Sequence, residues 1–160
     1  MGKVVHLTEL RQRRLDAKQK QQVVVFTNGI FDILHRGHIE YLNASKALGD
    51  ILMVGLNTDK SVRILKGEKK PIVPQDDRAF ILSQLHAVDY VCMFEEETPQ
   101  QIISQLLPDI LVKGADYGLD EIVGRKEVEE NGGKVIRVTL TPNQSTTNII
   151  ETIVDRFCGK

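Results

Sequence analysis

The chain has 160 residues, of which 41% are hydrophobic and 27% charged, with a formal net charge of -1. That length fits one domain, and that apolar content excludes a wholly disordered chain. The near-neutral balance excludes the global basic field that would make nucleic acid or an anionic membrane the first partner, so an anionic ligand has to be met locally. No run reaches the roughly 20 apolar residues of a membrane span, and Met1 to Gln22 lacks the apolar core of a signal peptide, which points to a cytoplasmic protein. Cys92 and Cys158 form no C-x-x-C pair and carry no expected chemistry.

In chain order, residues 1–21 read as a basic leader containing Arg11, Arg13, Arg14, Lys18 and Lys20, followed by one domain over 22–160. Gln22 to Thr27 is β-rich and ends at Asn28-Gly29, a strand and its turn. From about His38 to Leu48, Ile39, Leu42 and Leu48 recur at helical spacing and stop at Gly49. Asp50 to Leu56 reads as a second strand, Gln75 to Leu85 as a helix and Asp89 to Phe94 as a third strand. Between them, Asn57 to Pro74 reads as a long irregular loop carrying Arg63, Lys66, Lys69 and Lys70, and such loops in compact domains are often functional. A helix from Thr98 to Leu107, with Pro99 in its first turn, precedes the strand Ile110 to Lys113. A helix over Glu121 to Asn131 leads through Gly132-Gly133 to the strand Lys134 to Val138. A last helix, Ser145 to Phe157, has Ile149, Ile150, Ile153, Val154 and Phe157 on one stripe and is expected to dock on the sheet. Strands too apolar to have a wet face, alternating with amphipathic helices, predict an α/β fold: a single Rossmann-like, doubly wound parallel sheet of about five strands with helices on both faces.

Ligands of such sheets bind beyond the carboxyl ends of the strands, and there the unusual residues collect. The segment after the first strand runs from Thr27 through Asn28, Gly29, Phe31, Asp32, His35 and Gly37 to His38 and then into a helix. A helix start offers free N–H groups and the positive dipole end, and a glycine lets a ligand approach the main chain, so this is a phosphate seat. Two histidines three apart can share one helix face. A zinc site is disfavoured because no third and fourth ligand accompanies the pair. Neither a G-x-G-x-x-G nor a G-x-x-x-x-G-K-[ST] pattern occurs, against a dinucleotide oxidoreductase and a P-loop kinase.

The Asn28-Gly29-x-Phe31-Asp32 turn, His35-x-Gly37-His38 and Ser145-Thr146-Thr147 resemble the cytidylyltransferase-like nucleotidyltransferase superfamily. With Lys66-Gly67-Glu68, the run Asp109 to Tyr117 and Ser145 to Ile150, the resemblance narrows to the bacterial D-glycero-β-D-manno-heptose 1-phosphate adenylyltransferases and covers about residues 22–156. That family usually has Cys where this chain has Ile30, and Gly-Cys where it has Asn143-Gln144; neither change removes a charged or phosphate-binding group.

The resemblance implies transfer of AMP from ATP to heptose 1-phosphate with magnesium, giving ADP-heptose and pyrophosphate for lipopolysaccharide or related glycans. It implies a homodimer; in that family the domain is often fused behind a sugar kinase, for which 160 residues are too few, so the kinase is expected to be a separate protein. The nucleophile is a phosphate oxygen already ionised at neutral pH, so the demand on the protein is positioning and charge neutralisation. His35, His38 and Lys66 are the expected catalytic residues. Thr27, Asn28, Gly29, Phe31, Gly37, Arg78, Lys113, Gly114, Ser145, Thr146 and Thr147 join the histidines as expected nucleotide-binding residues. Asp32, Asn57, Asp59 and Asp116 are expected at the sugar phosphate, although Asp32 could serve only to brace its turn and Ser145 only to cap its helix. No metal ligands are assigned. The alternatives are a cytidylyltransferase acting on glycerol 3-phosphate or a similar alcohol phosphate, and a non-catalytic nucleotide-binding regulator. A nucleic-acid binder using the leader is disfavoured by the absence of interleaved aromatics.

Overall fold

The apolar, β-branched runs in the middle of the chain pair as parallel strands and are largely buried under helices. A computed structural model describes residues 1–139 and 144–158. The order is β1 (Lys3–Val4), α1 (Leu7–Gln19), β2 (Val24–Gly29), α2 (Arg36–Lys46), β3 (Ile51–Asn57), α3 (Asp59–Lys66) and α4 (Gln75–Gln84). There follow β4 (Tyr90–Phe94), α5 (Gln100–Leu106), β5 (Ile110–Gly114), a 3-10 turn (Leu119–Glu121), α6 (Arg125–Glu130), β6 (Lys134–Val138) and α7 (Thr146–Phe157).

The strands form one parallel sheet in the order β1-β4-β3-β2-β5-β6. From β2 the chain steps outward through β3 and β4, then returns to the other side of β2 to lay down β5. The strand order therefore reverses between β2 and β5, and a crevice opens at their carboxyl ends. Alternation along β2 divides the core. Val24 and Phe26 pack with Leu10 of α1, Ile102 and Ile103 of α5 and Val128 of α6. Val25 packs on the opposite face with Tyr41 and Leu42 of α2 and Ala79 and Leu82 of α4. Full burial of each large side chain contributes about 1.5–3 kcal/mol.

Four expectations are corrected. The leader belongs to the domain: Lys3 and Val4 pair with Tyr90 and Val91, Leu10 and Ala17 are in the core, and Arg14 bonds the Leu107 carbonyl and Asp109. Polar composition hid this helix, which needs only one narrow apolar stripe. The sheet accordingly has six strands, one more than expected, because a two-residue edge strand leaves no periodicity to read. Asn57 to Pro74 is not wholly irregular; Thr58 caps α3 by accepting the Ser61 N–H, and Val62 supplies its buried contact. Finally, α7 does not dock on the sheet. None of its residues is buried, and Ile153, Val154 and Phe157 are 47%, 49% and 81% exposed.

Candidate active site

At the reversal point lies a cleft of about 870 Å³. Its floor comes from the ends of β2 and β5, one wall from the start of α2 and the segment 144–147, and the opposite wall from Pro99, Ile122 and Val123. Asn28, Gly29, Phe31, Asp32, His35, Gly37, His38, Asn57, Lys66, Lys113, Gly114, Asp116, Ser145, Thr146 and Thr147 all line it, so the structure brings most of the expected site residues together. Asn143 lies outside the described residues.

The histidines are held by the turn before α2. Phe31 sits in the left-handed region at φ 45, and its ring lies so close to Gly29 that an added Cβ would stand 2.9 Å from it. That placement sets the Phe31 ring 5.4 Å from the His38 ring. Gly37 is equally constrained, since a Cβ there would come within 3.1 Å of the His35 ring and 3.0 Å of Gln144. The two imidazoles consequently stack, with centroids 3.9 Å apart and planes inclined by 24°. Burial lowers the pKa of both, and the neighbouring His35 adds to the fall at His38, which Asp32 opposes; His38 reaches about 4. Both rings are therefore neutral at pH 7. Each leaves a buried Nδ1 without a hydrogen-bond partner, an arrangement that suits arriving phosphate oxygens or protons better than a finished core.

The start of α7 faces the same space. Ser145 Oγ accepts the Asn148 N–H at 3.0 Å, the cap expected of it, and Thr146 donates to the Ile33 carbonyl at 3.3 Å. Two helix N-termini, those of α2 and α7, thus turn their positive ends to one cleft. Lys66, exposed at the end of α3, reaches it from the β3 side. Lys113 reaches it from β5, and its ammonium donates to Asn28 Oδ1. Burial depresses this lysine to about 8, against a smaller opposing effect of Asp116.

Other assignments change. Arg78 does not reach the cleft: its side chain is fully buried, donating to the carbonyls of Val73, Ile30 and Asn57 and pairing with Asp59 at 2.7 Å. An arginine one turn into a helix after a basic loop looks like a phosphate ligand, but here all three nitrogens are spent on the loops that frame the site. Asp59 is consumed by the same pair and does not line the cleft. Thr27 is also beneath the floor, sharing a hydrogen bond of 2.7 Å with the Tyr41 hydroxyl. Asp32 borders the cleft, yet its carboxylate accepts the N–H groups of Ile72 and Val73 and faces Lys70 at 3.7 Å; it braces the basic loop and has little capacity left for sugar hydroxyls.

Sequence reading missed Tyr41 and undervalued Lys70, both cleft residues. Tyr41 lies three positions after His38 on the same helix face, a usable signal. It donates to the Val112 carbonyl at 3.3 Å, and burial holds its hydroxyl protonated, with its pKa raised to about 12. Among the described residues no cluster of three or more His, Cys, Asp or Glu is placed to hold a metal ion, and no helix is long and apolar enough to cross a membrane.

The cytidylyltransferase-like family model matches residues 26–152. Bifunctional protein HldE of Geobacter sulfurreducens is 51% identical over 140 residues, 88% of this chain and 29% of that protein. Its namesake in Citrifermentans bemidjiense is 48% identical over 156 residues, 98% of this chain and 32% of that protein. The chain thus spans less than a third of the length of these curated relatives. The crystal structure of the lipopolysaccharide core biosynthesis protein from Thermoplasma volcanium superposes with a TM-score of 0.62 at 32% identity, covering 77% of this chain and 99% of that one. A pantoate-beta-alanine ligase from Francisella tularensis gives the same TM-score of 0.62 at 14% identity, over 100% of this chain and 80% of that one, and shows the shared fold alone. With the histidine pair, the Gly29–Phe31 turn and the capped α7 converging on the reversal point of the sheet, the chain belongs to the cytidylyltransferase-like family.

Proposed function

We propose that the cleft transfers AMP from ATP to D-glycero-β-D-manno-heptose 1-phosphate, releasing ADP-heptose and pyrophosphate. The observation that carries this reading is the stacked, neutral His35–His38 pair between two helix N-termini, a donor array for phosphate charge. The relatives called bifunctional protein HldE, about half identical over most of the chain, support the heptose acceptor.

In this reaction an oxygen of the acceptor phosphate attacks the α-phosphorus of ATP. The bond from that phosphorus to the α,β-bridging oxygen breaks, and pyrophosphate leaves with the electron pair. No serine, cysteine or strong base is required, since the attacking oxygen is already ionised. The N–H groups of His35 and His38 meet the charge that gathers on the α-phosphoryl and leaving oxygens. The helix starts at 36–38 and 145–147 hold the polyphosphate, and Lys66 and Lys70 approach from the opposite end. Magnesium is expected to arrive with the nucleotide, as MgATP, since it is usually held by substrate phosphates with one or two carboxylates. The reading includes a cytoplasmic homodimer working in the same pathway as a separate sugar kinase.

The test is pyrophosphate release with ATP, CTP, GTP and UTP, each offered with heptose 1-phosphate and with glycerol 3-phosphate. ATP with heptose 1-phosphate should exceed CTP with the same acceptor by at least about tenfold, because a mismatched base edge leaves buried polar groups unpaired. Faster turnover of CTP with glycerol 3-phosphate would reverse the assignment. In the same assay Lys66→Ala should lower kcat about tenfold or more, the loss of one charged hydrogen bond. Lys66 is exposed, so unfolding free energy should change by no more than about 0.5 kcal/mol. A large fall in melting temperature with normal turnover would make Lys66 structural.

A further inference from the structure

Among the described residues, the buried cations follow a rule with one exception. Arg14, 7% exposed, has Asp109 at 2.7 Å, and Arg78, 1% exposed, has Asp59 at 2.7 Å. Lys113 is 8% exposed, and its ammonium meets the neutral Asn28 amide oxygen and the face of the Tyr117 ring, 5.6 Å from its centroid. Its neighbour in register on β6 is another cation, Arg137, whose guanidinium donates to the Tyr117 carbonyl at 3.1 Å. Asp116, on the loop after β5, is exposed and exerts an electrostatic pull without forming an ion pair with Lys113. On the α2 side the titratable neighbour is Tyr41, a protonated phenol occupied with Thr27 and Val112. The neutral His35 and His38 and the carboxylates of Glu97 and Glu121, the latter accepting the Gly118 N–H, also line the cleft. Burying an ammonium without a counter-charge is costly, and this one sits at the reversal point of the sheet, on the floor of the cleft.

We infer that Lys113 is the resident counter-ion for a substrate phosphate: among the described residues the fold gives its ammonium no acidic ion-pair partner between β2 and β5, and the arriving phosphate supplies the missing negative charge. The inference rests on the reading of the cleft as a site for two phosphorylated substrates, and the phosphate could be the nucleotide's or the acceptor's. It carries a thermodynamic signature. The free lysine loses its proton as pH rises through about 8, whereas a bound phosphate restores the charged form, so above that pH binding draws a proton from solvent and affinity falls as pH rises.

The experiment is calorimetric titration of the full chain and of Lys113→Met with α,β-methylene ATP and, separately, with heptose 1-phosphate. It is run at pH 8.5 in two buffers of different ionisation heat. At least one ligand should bind the parent with uptake of a proton and should bind Lys113→Met about ten- to a hundredfold more weakly, as for loss of a charged hydrogen bond. The ligand-free variant should melt at the same temperature as the parent or higher, since an unpaired buried charge has been replaced by an apolar chain. Lys113→Gln repeats the test if the methionine variant does not fold. Unchanged affinity for both ligands, proton uptake that persists in the variant, or a marked fall in ligand-free melting temperature would each overturn the inference. If heptose 1-phosphate fails to bind at all while the nucleotide arm responds as stated, the acceptor assignment fails and the role of Lys113 stands.

Discussion

Alanine in place of His35 or His38 is expected to slow single-turnover formation of product by about 10²- to 10³-fold, the usual cost of one donor aimed at transition-state charge in a desolvated site. The geometry makes the two losses interdependent. Each ring is stacked on the other, His38 is further positioned by Phe31, and removal of either leaves its neighbour with space to tilt. The double variant should therefore fall short of the product of the single effects. ATP affinity should drop much less than the rate, since contacts tightened only in the transition state act on kcat. Near-normal turnover by both folded single variants would remove the histidines from catalysis and favour a nucleotide-binding regulator.

The same pair makes a pH prediction. An exposed histidine gains its proton near pH 6.5, but burial and the adjacent imidazole hold His38 neutral down to about 4. Histidine resonances of the ligand-free protein should show His38 unchanged between pH 8 and pH 5.5. Between about 6.5 and 4 the unfolded chain binds a proton that the folded one does not, so His38 lowers stability as pH falls through that window. A midpoint for His38 near 6.5 would show that the imidazole is solvated.

Arg78→Met is expected to destabilise the fold by about 3–5 kcal/mol, because it strands Asp59 and leaves three carbonyls of the framing loops without their donor. Arg78 joins Ile30 after β2, Asn57 at the end of β3 and Val73 before α4, and so fixes the relative height of three segments bordering the cleft. For a chain of this size the loss corresponds to a drop of about 6–20 °C in melting temperature. Replacing both members, as Arg78→Met with Asp59→Leu, should recover part of the loss, since no charge is then left unpaired. A variant that melts like the parent but binds ATP poorly would return Arg78 to the phosphates.

The alternation of strands and helices was legible because buried parallel strands carry continuous apolar runs and the intervening helices end at Gly49, Pro108 and Gly132. What escaped was whatever relied on tertiary pairing. The edge strand at Lys3–Val4 is fixed by β4 and is too short to show a period, and the stripe of Leu7, Leu10, Arg14 and Ala17 that holds α1 has helical spacing but is broken by a cation whose partner, Asp109, is far along the chain. In the site, the histidines and the Ser145–Thr147 segment were legible from motif and capping chemistry. The division between Lys66, which reaches the cleft, and Arg78, which is consumed beneath it, was not. Lys66 belongs to the basic stretch and Arg78 follows it one turn into the next helix, and only the arrangement of the surrounding carbonyls and Asp59 separates their roles. Likewise Asp32 reads as a sugar ligand until the N–H groups of Ile72 and Val73 are seen to occupy it.

The central claim, attack by a sugar phosphate on the α-phosphorus of ATP, is tested most directly with heptose 1-phosphate carrying oxygen-18 in all its phosphate oxygens. After reaction with unlabelled ATP, mass spectrometry should find all the label in ADP-heptose, on its heptose-linked phosphate and the new bridge, and none in pyrophosphate. Label in pyrophosphate or inorganic phosphate, or an unaltered sugar phosphate after ATP has been consumed, would contradict the proposed transfer.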